Sequence, residues 1–321
     1  WILRAYLSNR GEPVRPENLD TVGSEIHSKE FLKPRMDTSR SPQRLVALIV
    51  ALAQRAGAAV MKVYSQAEFA TTYKESGSPL TAADVASHDL ISEELGRITP
   101  SVPVLSEESK TVPYDVRRQW RTFWLVDPLD GTKEFIQRNG EFTVNIALIE
   151  DGRPVLGVVH APALDATYFA VHGLGAFKQS TRSGTRLIGV RPYEPAGLKV
   201  VVSRSHPSDA LRKLLDRIGP IECIAMGSSL KICVVAEGKA DLYPRLGPTM
   251  EWDTAAAQCV VEVAGGTIMD LSGQSLRYNK PDLHNPDFVV SGSSGLSSRL
   301  YSQEEGFEFS NGDNHGARTR G

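Results

Sequence analysis

The sequence of 321 residues predicts an α+β fold in which layers of helices alternate with layers of β-sheet. Three successive patterns support this prediction: two helical segments come first, a run of short apolar strands follows, and strands then alternate with helices. This order favours two lobes built around packed sheets. We expect one folded domain over about 41–300, with a first lobe over about 41–190 and a second over about 191–300.

The first helix is predicted to begin where Ser41 supplies an N-cap and Pro42 occupies the first helical position. Apolar residues then recur at helical spacing from Leu45 to Val63. The segment ESGSP interrupts the pattern, and a second helix is expected from about Thr81 to Ile98.

A succession of predicted strands forms the middle of the chain. The segments that read as strands are VPVLSEES, RTFWLVD, FTVNIALIE, PVLGVVHAP, ATYFAVHG and GAFKQ. Asp151-Gly152 lies between the third and the fourth and predicts a tight hairpin.

Strands and helices alternate in the second half of the chain. The predicted strands are LKVVVS, ECIAM, DLYPR and DFVVSG. The predicted helices between them are PSDALRKLLDRIG, SSLKICVVAEGKA and DTAAAQCVVEVAGG, the last ended by its glycines.

Composition and charge exclude several classes of protein. With 36 Lys and Arg against 38 Asp and Glu, the net charge of -2 offers no basic field for nucleic acid. Polar residues interrupt the apolar runs before 18 residues, so no transmembrane segment is predicted. The three scattered cysteines indicate reduced, buried thiols in a cytosolic protein, and neither a disulfide framework nor a zinc site.

The two ends of the chain differ from the middle. Residues 1–40 carry acids and have no sustained apolar period, which predicts an irregular N-terminal extension and argues against a targeting peptide. Whether this extension is native is left open. Residues 301–321 are polar and rich in glycine, which predicts a disordered tail.

The stretch WLVDPLDGTKEF ends an apolar strand with two acids, Asp127 and Asp130. Taken singly, such acids have ordinary explanations: Asp84 in a first helical turn suits the helix dipole, and Asp253 could cap a helix from Thr254. If four carboxylates converge to about 4 Å, however, each pair repels by roughly 4 kcal/mol at an effective dielectric of 20. Divalent ions relieve that repulsion, and ligands that are all oxygen favour Mg²⁺.

The motifs DPLDGT, SEES and WDTAA resemble those of the lithium-sensitive, magnesium-dependent phosphomonoesterases, a superfamily that includes inositol monophosphatase and fructose-1,6-bisphosphatase. The strings DPLDGTKEF, SRSH, GSSLKICVVAEGKADLYPR and EWDTAA are similar to its bacterial 3'(2'),5'-bisphosphate nucleotidases, over about 41–295. The resemblance implies a layered αβαβα sandwich, two or three Mg²⁺ ions in each site and a role in sulfur metabolism.

The resemblance also implies the roles of individual residues. The metal ligands would be Glu107, Asp127, the Leu129 carbonyl, Asp130 and Asp253. Asp84 and Thr132 would orient and deprotonate the attacking water.

Substrate contacts are expected on several segments. The residues implied are Gly131, Thr132, Ser205, His206, Ser228, Ser229, Lys231 and Asp253. Gly227–Ser229 begin a predicted helix, where free backbone N–H groups would hold a phosphate, although plain helix capping explains these residues equally well. Lys231 is expected away from the metals, near the phosphate that is not cleaved.

These observations predict a cytoplasmic phosphatase that converts adenosine 3',5'-bisphosphate to AMP and phosphate. An inositol-phosphate phosphatase with the same metals is the alternative, and a non-catalytic nucleotide or metal sensor is a rival of another class. A peripheral position on the cytoplasmic face of the inner membrane, the preference among related nucleotides and the oligomeric state are left open.

Overall fold

The computed structural model describes residues 41–67, 71–73, 79–192, 194, 197–204, 211–212, 215, 221–293 and 296. The predicted N-terminal extension and C-terminal tail lie outside these residues. So does most of the helix predicted at 207–219, of which Leu211, Arg212 and Leu215 are described and helical.

Four of the six α-helices named here for the described residues begin close to their predicted starts. The six are α1 (Pro42–Tyr64), α2 (Ala82–Ile98), α3 (Tyr114–Arg117), α4 (Thr132–Ile136), α5 (Leu230–Ala236) and α6 (Glu251–Val263). The Ser41 side chain accepts a hydrogen bond from the Arg44 N–H at the start of α1, and Thr81 caps α2. The short helices α3 and α4 were not predicted, and α5 ends at Ala236, before the predicted end of that segment.

Helix α1 packs its apolar face against a sheet. Its buried side chains recur every three or four residues, for example Leu45, Ile49, Leu52, Ala56 and Val60. In the described part of the chain it is the one helix long and apolar enough to cross a membrane, so the argument from interrupted runs is wrong for this segment. Because this face is part of the protein core, the length of α1 is weak evidence for a membrane span.

The larger sheet has seven strands in the order β3-β4-β5-β6-β7-β8-β9. Its strands are β3 (Val104–Ser106), β4 (Thr122–Asp130), β5 (Thr143–Glu150), β6 (Arg153–Ala161), β7 (Ala166–Val171), β8 (Gly175–Ser180) and β9 (Gly184–Ile188). Neighbours are antiparallel except for β3 and β4, and a separate small hairpin pairs β1 (Thr71–Tyr73) with β2 (Pro79–Thr81). Asp151 and Gly152 both have positive φ between β5 and β6, which confirms the predicted hairpin.

The smaller sheet has five strands in the order β11-β10-β12-β14-β13. They are β10 (Leu198–Ser203), β11 (Ile221–Met226), β12 (Leu242–Arg245), β13 (Thr267–Asp270) and β14 (Phe288–Ser291). Strand β10 is parallel to both of its neighbours, whereas β14 is antiparallel to β12 and β13. Strands β9 and β13 and the β1–β2 hairpin were not predicted.

The layers stack as the sequence predicts. Helices α1 and α2 cover one face of the larger sheet, and α5 and α6 lie between the two sheets. The close approach of α6 to β6 requires Gly157, since a Cβ there would lie 2.2 Å from the Ala256 carbonyl oxygen. Leu215 and Leu296 belong to an apolar cluster on the other side of the smaller sheet. The αβαβα prediction is therefore confirmed.

The cysteines differ in burial. Cys233 and Cys259 are buried, free thiols, as predicted. Cys223 is exposed, so the prediction of a buried thiol is wrong there. The reason is its place on β11, an edge strand of the smaller sheet.

Candidate active site

The turn at the end of β4 is fixed from two sides. The pairing of β4 with β5 shifts register between Asp127 and Asp130, so the chain bulges at the edge of the larger sheet. The Leu129 N–H donates to Asp127 Oδ1 at 3.0 Å, and Ser87 Oγ on α2 donates to the Pro128 carbonyl at 2.8 Å. The local sequence and the second helix together therefore determine where these acids lie.

Three of the predicted acids converge. Asp127, Asp130 and Asp253 each offer one carboxylate oxygen, and these atoms all lie within 4.8 Å of one another. Asp253 reaches the cluster from the first turn of α6, where its Oδ2 accepts a hydrogen bond from the Met250 N–H at 2.9 Å. Because α6 begins at Glu251, Asp253 is not the N-cap of a helix starting at Thr254.

The carboxylates of this cluster are difficult to ionise together. Burial, followed by the charges of neighbouring acids, raises the pKa of Asp127 and Asp253 well above the usual range. Burial raises the pKa of Asp130 to about 6, although the Lys231 charge and the Ser229 N–H favour its ionised form. Glu107 is not in the 4.8 Å group, but its charge raises the pKa of all three aspartates. Such a set of oxygen donors fits one or more hard divalent cations.

Asp84 and Thr132 lie beside the cluster. The Thr132 hydroxyl is 3.5 Å from Asp84 Oδ1 and 3.3 Å from the Leu129 carbonyl oxygen. The backbone N–H and hydroxyl of Thr81 donate to Asp84 Oδ2 at 2.8 and 2.6 Å, which leaves Oδ1 facing Thr132. Buried Asp84 is thus held in one orientation towards a hydroxyl that lies next to the acids.

A cavity of about 240 Å³ opens next to the acids. Its polar lining residues are Asp130, Thr132, Lys133, Glu134, Ser203, Ser228, Ser229, Lys231, Tyr243, Arg245, Thr249, Asp253 and Thr254, and Gly131 also lines it. The sequence singles out neither Arg245 nor Tyr243 as a site residue. The apolar alternation of the short strand that contains both gives no sign that its end faces a cavity.

Lys231 lies in the cavity that Asp130 and Asp253 also line. Its ammonium is buried, donates to the Ser228 carbonyl oxygen at 2.5 Å and lies 5.5 Å from the Tyr243 ring centre. Burial lowers the pKa of Lys231 to about 8, against the opposing attraction of the Asp130 carboxylate. Lys231 thus lines the same cavity as Asp130 and Asp253, whereas the sequence placed it away from the metals.

The backbone of the helix start is already engaged. The Gly227 N–H donates to Glu141 Oε2 at 2.8 Å, and the Ser229 N–H donates to Asp130 Oδ2 at 2.5 Å. For Gly227 and Ser229, the expectation of an N–H group free to hold a phosphate is wrong, because carboxylates of the larger sheet and its loops accept their hydrogen bonds. Ser228 and Ser229 nevertheless line the cavity. Ser205 and His206 lie outside the described residues.

Comparisons with known proteins identify the family of the chain. Residues 41–305 match the model of the inositol monophosphatase family. The chain is 51% identical over 244 residues to the 3'(2'),5'-bisphosphate nucleotidase CysQ of Salmonella typhimurium, covering 74% of this chain and 96% of that protein. The crystal structure of CysQ from Bacteroides thetaiotaomicron, a bacterial member of the inositol monophosphatase family, has 40% identity and a TM-score of 0.69 over 78% of this chain and 98% of that one. Inositol monophosphatase from Anabaena has 25% identity and a TM-score of 0.64, covering 80% of this chain and 95% of that one.

Proposed function

The chain belongs to the inositol monophosphatase family, and we propose that it hydrolyses adenosine 3',5'-bisphosphate to AMP and phosphate. One observation carries the proposal: three converging aspartates lie beside a cavity that also contains the cations Lys231 and Arg245. The acids suit metal-assisted hydrolysis of a phosphate ester, and the cations suit a substrate with a second phosphate.

We propose Mg²⁺ as the metal, with two or three ions in the site. Asp127, Asp130, Asp253, Glu107 and the Leu129 carbonyl would hold them, because hard oxygen donors and several carboxylates suit this ion. When bound, the metal supplies an activated water and neutralises charge on the cleaved phosphate.

The protein's own residues would then orient and deprotonate the water. The Thr132 hydroxyl, 3.5 Å from Asp84 Oδ1, would take a proton from the water and pass its own to that oxygen. A separation of 3.5 Å is long for a hydrogen bond, but catalytic contacts tighten when substrate is bound. The two Thr81 donors hold Asp84 in the orientation that this relay needs.

The second phosphate would bind to Arg245. Its Nη2 donates to the Pro248 carbonyl at 2.8 Å, whereas its buried Nε has no hydrogen-bond partner within the described part of the chain. A buried N–H group without an acceptor costs free energy, and a phosphate oxygen would satisfy it. Lys231, beside Asp130, would instead stabilise charge near the cleaved phosphate. Gly131, Ser228 and Ser229 would complete the wall of the pocket.

A substrate panel tests the proposal. We expect phosphate release from adenosine 3',5'-bisphosphate with Mg²⁺, none with a chelator, and a clear preference over inositol 1-phosphate. A preference for inositol 1-phosphate would identify a phosphatase of the inositol monophosphatase type. No turnover of either compound would leave a nucleotide or metal sensor. We further propose a cytoplasmic location, which the three free cysteines support.

A further inference from the structure

The segment Gly227–Lys231, called here the pocket segment, connects the smaller sheet to the metal-binding acids. It follows β11 and runs into α5. At its centre, the Ser229 N–H donates to Asp130 Oδ2, and the Ser229 hydroxyl contacts Asn145 Oδ1 and Thr143 Oγ1 on β5, each at 2.9 Å. One residue therefore orients a predicted metal ligand and fixes the segment to the larger sheet.

The first residue of the pocket segment is held by a carboxylate outside the catalytic machinery. Glu141, just before β5, accepts the Gly227 N–H on Oε2 at 2.8 Å. Arg204 binds the same carboxylate through two N–H groups, at 2.9 Å to Oε2 and 2.7 Å to Oε1. The Arg204 guanidinium also donates to the Ala225 carbonyl on β11 at 2.9 Å. Because both guanidinium donors engage the carboxylate, Glu141 is fixed in position and direction.

Two further features constrain the backbone of the pocket segment. A Cβ on Gly227 would lie 2.6 Å from Glu134 Cγ and 2.9 Å from the Glu141 carbonyl oxygen. Ser228 has φ of 49°, in the left-handed region that non-glycine residues rarely occupy. A residue remains in such a conformation only when surrounding contacts impose it, and here those contacts lie on both sides of Ser228.

We propose that Glu141, oriented by Arg204, is a positioning residue for substrate binding. By holding Gly227, it sets the pocket segment so that the Ser229 N–H meets Asp130 and Lys231 faces the cavity. Glu141 is not among the residues that line this cavity, so it acts through the segment. The inference rests on the proposed function, because it assigns the segment to binding of the nucleotide.

Three variants separate the contacts. Glu141→Ala removes the acceptor for Gly227 and the partner of Arg204. Glu141→Gln keeps an oxygen that can accept the Gly227 N–H. Arg204→Met leaves the carboxylate without the cation that orients it. Asp151→Asn is the matched control, since Asp151 forms a similar two-bond pair with Arg121, at 2.9 and 3.0 Å, on the hairpin between β5 and β6.

Two measurements are made on each full-length protein with Mg²⁺: steady-state kinetics with adenosine 3',5'-bisphosphate, and the Kd for AMP by calorimetry. For Glu141→Ala we expect KM and the AMP Kd to rise about tenfold, the effect of losing one charge-assisted hydrogen bond. Glu141→Gln should stay within about threefold of the wild type in both. Arg204→Met should lie between the two variants, and Asp151→Asn should match the wild type.

The role of Glu141 is overturned if KM and the AMP Kd of Glu141→Ala equal those of the control, or if only kcat and the melting temperature fall. A Glu141→Gln protein as defective as Glu141→Ala would overturn the role of the Gly227 contact. If Glu141→Ala does not fold, Arg204→Met must still show a raised AMP Kd, and an unchanged value refutes the inference. If the wild type neither hydrolyses the bisphosphate nor binds AMP, the proposed function has failed, and KM for inositol 1-phosphate tests Glu141 instead.

Discussion

Replacing Asp127 with asparagine should change stability and activity in opposite directions. Carboxylate oxygens 4.8 Å apart repel by about 3.5 kcal/mol per pair at an effective dielectric of 20. Without metal, protonation relieves most of this repulsion, in keeping with the raised pKa of Asp127. We therefore expect the free energy of unfolding of the metal-free variant to rise by about 1–2 kcal/mol, which corresponds to about 2–8 °C in melting temperature. The asparagine oxygen can still accept the Leu129 N–H, so the turn is retained.

The assay compares melting temperatures in a chelator and in Mg²⁺, together with phosphate release. Wild-type protein should be stabilised by Mg²⁺, whereas the Asp127→Asn variant should lose most of this shift and nearly all of its turnover. Asp165→Asn is the control. The Asp165 carboxylate accepts hydrogen bonds from Thr181, which lower its pKa, so neutralising it should not stabilise the protein. A metal-free variant that melts below the wild type would refute the electrostatic reasoning. Turnover near that of the wild type would refute the assignment of Asp127 as a metal ligand.

Three further experiments address other residues. Thr132→Ala should lower kcat by about 10²–10⁴-fold with KM within about twofold, and Thr132→Ser should recover activity; a rise in KM alone would make Thr132 a binding residue. Arg245→Met should lower kcat/KM for the bisphosphate by about ten- to a hundredfold and spare inositol 1-phosphate. Lys231→Met should impair both compounds similarly, because Lys231 and Asp130 line the same cavity and attract each other. Burial lowers the pKa of His160 to about 4, below its unfolded value of about 6.5, so the unfolded chain binds the extra proton between these values. Between pH 6.5 and pH 4, the free energy of unfolding in urea should accordingly fall by about 3 kcal/mol more in the wild type than in His160→Gln.

Local signals in the sequence predicted the elements whose ends are set by neighbouring residues. The Ser41–Pro42 and Thr81 caps determined the starts of α1 and α2, and Asp151-Gly152 determined a hairpin, because each of these features acts within a few residues. Strands β9 and β13 could not be predicted in this way. Each is a short edge strand stabilised by pairing with β8 or β14, and local periodicity does not reveal such partners.

The candidate site likewise has a part that the sequence predicts and a part that it does not. The three aspartates could be selected because their chemistry and motifs are visible in the sequence, and the structure brings them together from two distant segments. The sequence does not show which backbone N–H groups of the site remain free to bind a ligand. The amides of Gly227 and Ser229 are taken by Glu141 and Asp130, residues about 90 positions away, so no local pattern reports it.

Asp130 connects these two parts of the site. Its carboxylate belongs to the acidic cluster, accepts the Ser229 N–H and attracts the buried Lys231 ammonium. A cation bound by the cluster would be coordinated by the Asp130 carboxylate, which also accepts the Ser229 N–H of the pocket segment. Metal and nucleotide would then share one oriented group, and by linkage each would alter the affinity of the other. In the proposed mechanism, the chemistry of the acids and the recognition of the substrate would thus depend on a common residue, Asp130.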